Sequence, residues 1–409
     1  MLLAAPSSPT TPPSSRRAAL TFLVLAWLVG VNLRTVLLAV PPVLPLIRQD
    51  LDLSYTATGL LTSLPILLLG LAAVPGAYLI ARTSARAAVA LGLILLAAGA
   101  LLRALTPTAF PIFAFTALLS IGIAICQPAF SVLVRQLFPK HIGTATGIYS
   151  NGLIIGEIVA ASLTLPALNV LGKDNWRGTF VLWGIPIIAT LVLWLLFAPR
   201  THMADTIARA RWQAGWKTWR GWHLGLLLGA GSLVYFSANT WIPNYDKALG
   251  RPETTSSAEL FVLNAMQLPV SILVTVFAGA VLGRRWPMVL SGIACVLGTL
   301  GWLFLPATSL FWVGLTGAGS STVFLLSLGL PAFLAPERDV AGYTGLMLTL
   351  GYTSAFLGPL IGGGLWDISG IPGFAFIPIL IASVFQMVFG MMLPRQGEHS
   401  SWQESEATK

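Results

Sequence analysis

Apolar residues run down this chain in long blocks broken by short polar stretches, from Ala18 to Leu393. Spans of about 20 apolar residues are what a helix needs to cross a hydrocarbon core, and barrels would show short alternating strands instead. Twelve membrane helices are predicted, at about 18–46, 56–80, 88–105, 109–137, 142–168 and 178–198, then 221–245, 257–282, 287–305, 309–334, 340–364 and 371–393. The expected organisation is a disordered N-terminus (1–17), a six-helix bundle (18–198), an amphipathic connector (199–220), a second six-helix bundle (221–393) and a polar tail (394–409). In the connector, Trp212, Trp216, Trp219 and His223 recur at helical spacing among arginines, as in a helix lying at a membrane surface.

The two sets of six echo one another. Leu44-Pro45 to Leu51 is matched by Ile242-Pro243 to Leu249, and Leu64-Pro65 by Leu268-Pro269. Gly76 and Gly279 follow, each ahead of a basic turn (Arg82 and Arg86; Arg284 and Arg285). The shared order indicates a duplicated architecture of the kind transporters use. In this register Arg34 falls opposite Ser232 and Glu157 opposite Ala355, so the scaffold repeats but its buried charges do not.

Composition agrees with a membrane bundle: 56% of the 409 residues are hydrophobic, 9% are charged and mean hydropathy is +0.82. The net charge of +9 is therefore read by side rather than as a nucleic-acid signal. Sixteen of the 23 Lys and Arg fall in the termini and even-to-odd loops and six in the other loops, which places both termini in the cytoplasm. Arg16-Arg17 is followed by no small-residue cleavage site, so the pair reads as holding the N-terminus inside. Cys126 and Cys295 lie in separate apolar runs and are expected as packing residues; the four histidines stand singly, without metal-ligand spacing.

The remaining basic residue, Arg34, sits in the middle of the first span, and Glu157 lies at similar depth in the fifth. A guanidinium at mid-bilayer costs at least about 2.5–3.5 kcal/mol, so it needs a partner, a wet cavity or an anionic ligand. Either the two pair as a structural lock, or they handle a ligand or proton, and one arrangement can serve both ends. Among the uncharged residues at this depth, Asn32, Gln127, Tyr149, Asn239, Trp241 and Gln267 are the candidate substrate-binding set beside Arg34, with Glu157 as proton-coupling group or charge partner. No nucleotide-binding loop, nucleophile elbow or zinc-helix motif occurs, so neither enzymatic activity nor a cofactor is expected.

Gly30-Val-Asn-Leu-Arg34 with Pro42-Val-Leu-Pro45, Leu53-Ser54 and Leu64-Pro65, and in the second half Trp241-Ile-Pro243-Asn-Tyr245, Gln267-Leu-Pro269 and Gly358-Pro359, resembles the cyanate and 2-nitroimidazole transporter family of the major facilitator superfamily. The resemblance covers about residues 20–392. It implies an all-α fold of two pseudo-symmetric bundles, a site between them at mid-depth and rocking alternating access. Glu157 departs from that family, which has small residues in this stretch.

The reading is a secondary transporter of a small polar or anionic compound, monomeric, in a bacterial-type inner membrane, with protons as a candidate second partner and nucleic acid as none. A proton-coupled multidrug exporter, with Glu157 carrying the proton and Arg34 structural, is the alternative; a non-transporting membrane sensor is another.

Overall fold

A computed structural model describes residues 16–71, 83–138, 141–172, 174–199, 216, 218–334 and 340–394. The N-terminus to residue 15, the turn at Arg82, most of the 199–220 connector including Trp212, and the tail from 395 lie outside the described residues.

The helices follow one another with short links: α1 (Arg16–Leu38), α2 (Val40–Asp50), α3 (Tyr55–Leu71), α4 (Ala85–Ala104), α5 (Ala109–Leu137), α6 (Ile142–Leu171) and α7 (Trp176–Phe197) make the first half. The second comprises α8 (Trp219–Ala248), α9 (Glu253–Ala265), α10 (Gln267–Val276), α11 (Ala278–Val281), α12 (Arg285–Phe304), α13 (Ser309–Leu334), α14 (Val340–Ser369) and α15 (Ile377–Met391). Among the described residues they trace twelve passes, with α1 and α2 forming one and α9 to α11 another. Among the described residues, ten helices are long and apolar enough to cross a membrane. The other two passes are α3, of which 17 residues are described, and α8, whose buried Ser232, Ser237, Asn239, Thr240 and Asn244 lower its apolarity.

Proline sets the local breaks. Pro41 and Pro42 have no N–H to return to the preceding turn, and the first pass is interrupted between α1 and α2. Pro269 cannot donate to Ala265, and the helix breaks at Met266, immediately ahead of Gln267. Ser54 accepts from the Ala57 N–H (3.1 Å) at the start of α3, and Ser84 from the Ala87 N–H (3.2 Å) at the start of α4.

Glycine permits the close crossings. A Cβ at Gly30 would lie 2.6 Å from the Tyr149 carbonyl oxygen, and Cβ atoms at Gly152 and Gly156 would overlap the carbonyls of Trp27 and Val31, so α1 and α6 meet backbone to backbone. Gly225 and Gly229 of α8 make room for the side chains of Leu350 and Ser354 of α14.

The halves join where α3 packs on α14, α6 on α9, and α2 on α8. At the face opposite the chain termini, the Asp367 carboxylate of α14 accepts from the N–H groups of Tyr55 (2.9 Å) and Thr56 (2.7 Å) and from the Thr56 hydroxyl (2.5 Å). The first turn of α3 is thus capped by a residue of the other half. Tyr55 stacks on Trp366 at 3.9 Å, and Lys247 donates to Gln49 across the halves at 2.8 Å. This face is latched.

The α1–α6 seam makes a specific demand on side-chain size. Gly156→Ala is expected to lower the thermal unfolding midpoint in detergent, through overpacking of about 1–3 kcal/mol. Gly147→Ala in the same helix, with nothing within 4 Å of its added Cβ, is expected to leave the midpoint unchanged or raise it. Equal midpoints for the two variants would show that the seam yields.

Candidate functional site

Arg34 on α1 and Glu157 on α6 face each other near mid-depth, 3.4 Å apart between Nε and Oε1, with 7% and 6% of their side chains exposed. The contact is one of charge: Arg34 Nε makes no hydrogen bond. On its other oxygen Glu157 accepts from the hydroxyl of Tyr235 on α8 (2.9 Å) and from the Gln267 side-chain amide at the start of α10. One carboxylate is therefore held by an arginine of its own half and by two neutral donors of the other.

Around this contact lies a narrow cavity lined by Arg34, Glu157, Ser232, Tyr235, Phe236, Gln267, Ser320, Ser321 and Phe324, with about 30 Å³ of free space. That is room for about two water molecules. The Ser232 and Ser321 hydroxyls are buried without a hydrogen-bond partner. Together with Arg34 Nε they give the cavity three unused donors around one carboxylate, a lining suited to a second acceptor-rich group.

The second half carries the network outward. Asn264 donates from Nδ2 to Leu260 O (2.7 Å) and to Asn239 Oδ1 (3.0 Å), which fixes its amide so that Oδ1 faces Tyr235 at 2.5 Å. The Tyr235 hydroxyl has one proton and two neighbouring acceptors, Glu157 and Asn264.

Of the residues selected from sequence, the structure brings Arg34, Glu157 and Gln267 into this cavity and places Asn239 one step out, bonded to Asn264. Asn32 points elsewhere: its amide donates to Leu28 O (2.8 Å) and to Thr190 of α7 (2.9 Å), so it joins helices within the first half. Tyr149 stacks on Phe130 at 4.8 Å with its hydroxyl unpartnered, and Gln127 is half-buried on α5; neither lines the cavity. Trp241 is fully buried in the aromatic group at the latched face, with ring centres 5.8 Å from Trp366 and 6.4 Å from Tyr55.

Sequence reasoning did not select Tyr235, Ser232, Ser320, Ser321 or Asn264. The signal was present in α8, where Ser232 and Tyr235, seven and four residues before the chosen Asn239, share its face. Arg103, counted with the loops by its place at the end of a span, is in fact buried in the last turn of α4, at 1% exposure.

Comparison with known proteins agrees with this architecture. The family model described as Major Facilitator Superfamily matches residues 22–359. A 2-nitroimidazole transporter of Escherichia coli (strain K12) is 28% identical over 378 residues, covering 91% of this chain and 94% of its own length. The cyanate transport protein CynX of the same organism is 28% identical over 350 residues, covering 85% and 90%. Among solved structures, a D-xylose–proton symporter superposes with a TM-score of 0.76 at 12% identity, covering 93% of this chain and 99% of that one, a likeness of fold alone. The chain is a multi-pass membrane protein that belongs to the Major Facilitator Superfamily.

Proposed function

We propose that the chain is a secondary active transporter of a small anion or small polar compound, moved by alternating access together with a proton. The reading rests above all on the Glu157 carboxylate, engaged by Arg34 from one half and by Tyr235 and Gln267 from the other. The bundles 18–198 and 221–393 rock about this point, with both termini in the cytoplasm and the chain in a bacterial-type inner membrane. The resemblance to the cyanate and 2-nitroimidazole transport proteins supports a compact, polar cargo.

Charge balance supplies the coupling. Arg34 and Glu157 are neutral as a pair; an anion that takes the place of Glu157 against Arg34 leaves the dry site with one negative charge too many. Protonating Glu157 restores neutrality and releases its hold on Arg34. The same proton turns the Tyr235 hydroxyl from Glu157 toward Asn264, which passes the change into α8 and α9. Ser232, Ser321 and Arg34 Nε then supply the donors for the cargo.

Proteoliposomes holding a lumenal pH dye test this, with cyanate, nitrate, small carboxylates, nitroimidazoles and lipophilic cations as cargo. The expected result is flux of one of the anions or small polar compounds accompanied by lumenal acidification, with flux reduced at least about a hundredfold in Arg34→Ala, the scale of losing a buried charged partner. Glu157→Gln, fixed in the neutral state, is expected to retain cargo counterflow but move no protons. Lipophilic cations alone moving protons, with Arg34→Ala fully active, would establish the drug exporter instead.

Alternating access also requires the latched face to open. Asp367→Asn exchanges three charge-assisted bonds at the start of α3 for neutral ones, a loss of about 1.5 kcal/mol or more. A cysteine introduced at Thr240, buried in this state, is expected to react about tenfold faster with an impermeant thiol reagent in the Asp367→Asn background. Unchanged labelling would show that Asp367 does not hold the face shut.

A further inference from the structure

A second cavity, mostly apolar but with a few polar groups in its wall, lies between the central site and the latched face. Its walls are Leu37, Leu38, Val40 and Pro41 from the broken first pass, one to two turns beyond Arg34, with Thr62 of α3, Arg103 of α4, Thr116 of α5, and Asn239 and Thr240 of α8. Phe236 lines both cavities. The free space is about 20 Å³, the scale of a single small ion or water.

Arg103 is the unusual member. Its side chain is buried at 1% exposure, and among the described residues no carboxylate lies within 4.0 Å of it. One donor, Nη2, reaches the Val36 carbonyl (3.2 Å) beside the break in the first pass, and the Phe180 ring covers the guanidinium at 4.4 Å on one side. Nε is buried with no hydrogen-bond partner. Across the same cavity the Thr116 hydroxyl is buried and likewise unpartnered, while Thr240 donates to Thr62 at 2.9 Å. A helix brace at Val36 uses one of the five donors of an arginine and leaves it without a carboxylate partner among the described residues, an arrangement that favours an anion in the adjoining space.

We propose that Arg103 and Thr116 form a second binding site for a small monovalent anion, a staging position between the central Arg34–Glu157 site and the face closed by Asp367. The identity of the ligand as the transported anion rests on the anion reading of the central site; the existence of the second site does not. The cargo passes from one guanidinium to the other around Phe236, so that it is never left unpaired in the dry interior.

Bromide is the probe. Anomalous diffraction from crystals of the full chain grown in bromide is expected to place an ion against Arg103 and Thr116, and another against Arg34. The Arg103 ion is expected to disappear in Arg103→Gln and to weaken in Thr116→Val, with the Arg34 ion kept in both. Thr116→Val preserves shape and removes a hydroxyl that has no protein partner, so it remains informative if Arg103→Gln does not fold. In proteoliposomes, Thr116→Val is expected to raise the half-saturating concentration of cyanate at least about tenfold, the scale of one hydrogen bond to an ion. An ion at Arg103 with cyanate saturation unchanged in Thr116→Val is an adventitious ion only and overturns the staging role. Bromide at Arg34 but not at Arg103 overturns the second site and leaves the first intact; bromide at neither position overturns both.

Discussion

The structure depends on the placement of one positive and one negative charge in a medium that cannot solvate either. Arg34 and Glu157 are tolerable at mid-depth because they meet, and they meet because glycines at 30, 152 and 156 let α1 and α6 approach backbone to backbone. Bulkier residues there would part the helices and leave two costly charges apart. The seam is thus a requirement of the electrostatics as much as of the packing.

From that contact the rest of the arrangement follows outward. Glu157 still has an oxygen to satisfy, and the second half meets it with a hydroxyl and an amide rather than a cation. In the mechanism proposed above, neutral donors bind the carboxylate firmly enough to close the interface and weakly enough to release it when its charge is removed. A lysine at Tyr235 or Gln267 would add a further uncompensated charge to the pair. Both charges of the contact thus lie in one half and its neutral donors in the other.

Much of this was legible in the sequence. Arg34 and Glu157 stand out because charges interrupt apolar runs, and the six-plus-six duplication is visible in the repeated Leu-Pro and Gly positions. What the sequence does not carry is the rotation of each helix about its axis. Asn32 and Arg34 are two residues apart, about 200° around a helix, so only one of them can face the cavity; Asn32 instead bonds Thr190. Asn239 and Trp241 are related in the same way, and Trp241 turns into the aromatic group at the latched face. Tyr235 shares the face of Asn239 and could have been chosen by that spacing. Arg103 illustrates a different limit: at the end of a span, hydropathy cannot separate an arginine that reaches out to the headgroups from one that turns inward, and only the Phe180 ring and the Val36 carbonyl decide it.

The residence of Arg34 and Glu157 on the same half bears on how the membrane potential acts. A unit charge carried across 100 mV gains or loses about 2.3 kcal/mol. In the alternating access proposed above, the guanidinium and the carboxylate travel together, and their opposite charges cancel in the field. The protein's own motion at the centre of the bundle is then nearly blind to voltage. An anion and a proton that cross together are electrically silent as well, which leaves the gradients of concentration and pH, rather than the electrical one, to set the direction of travel.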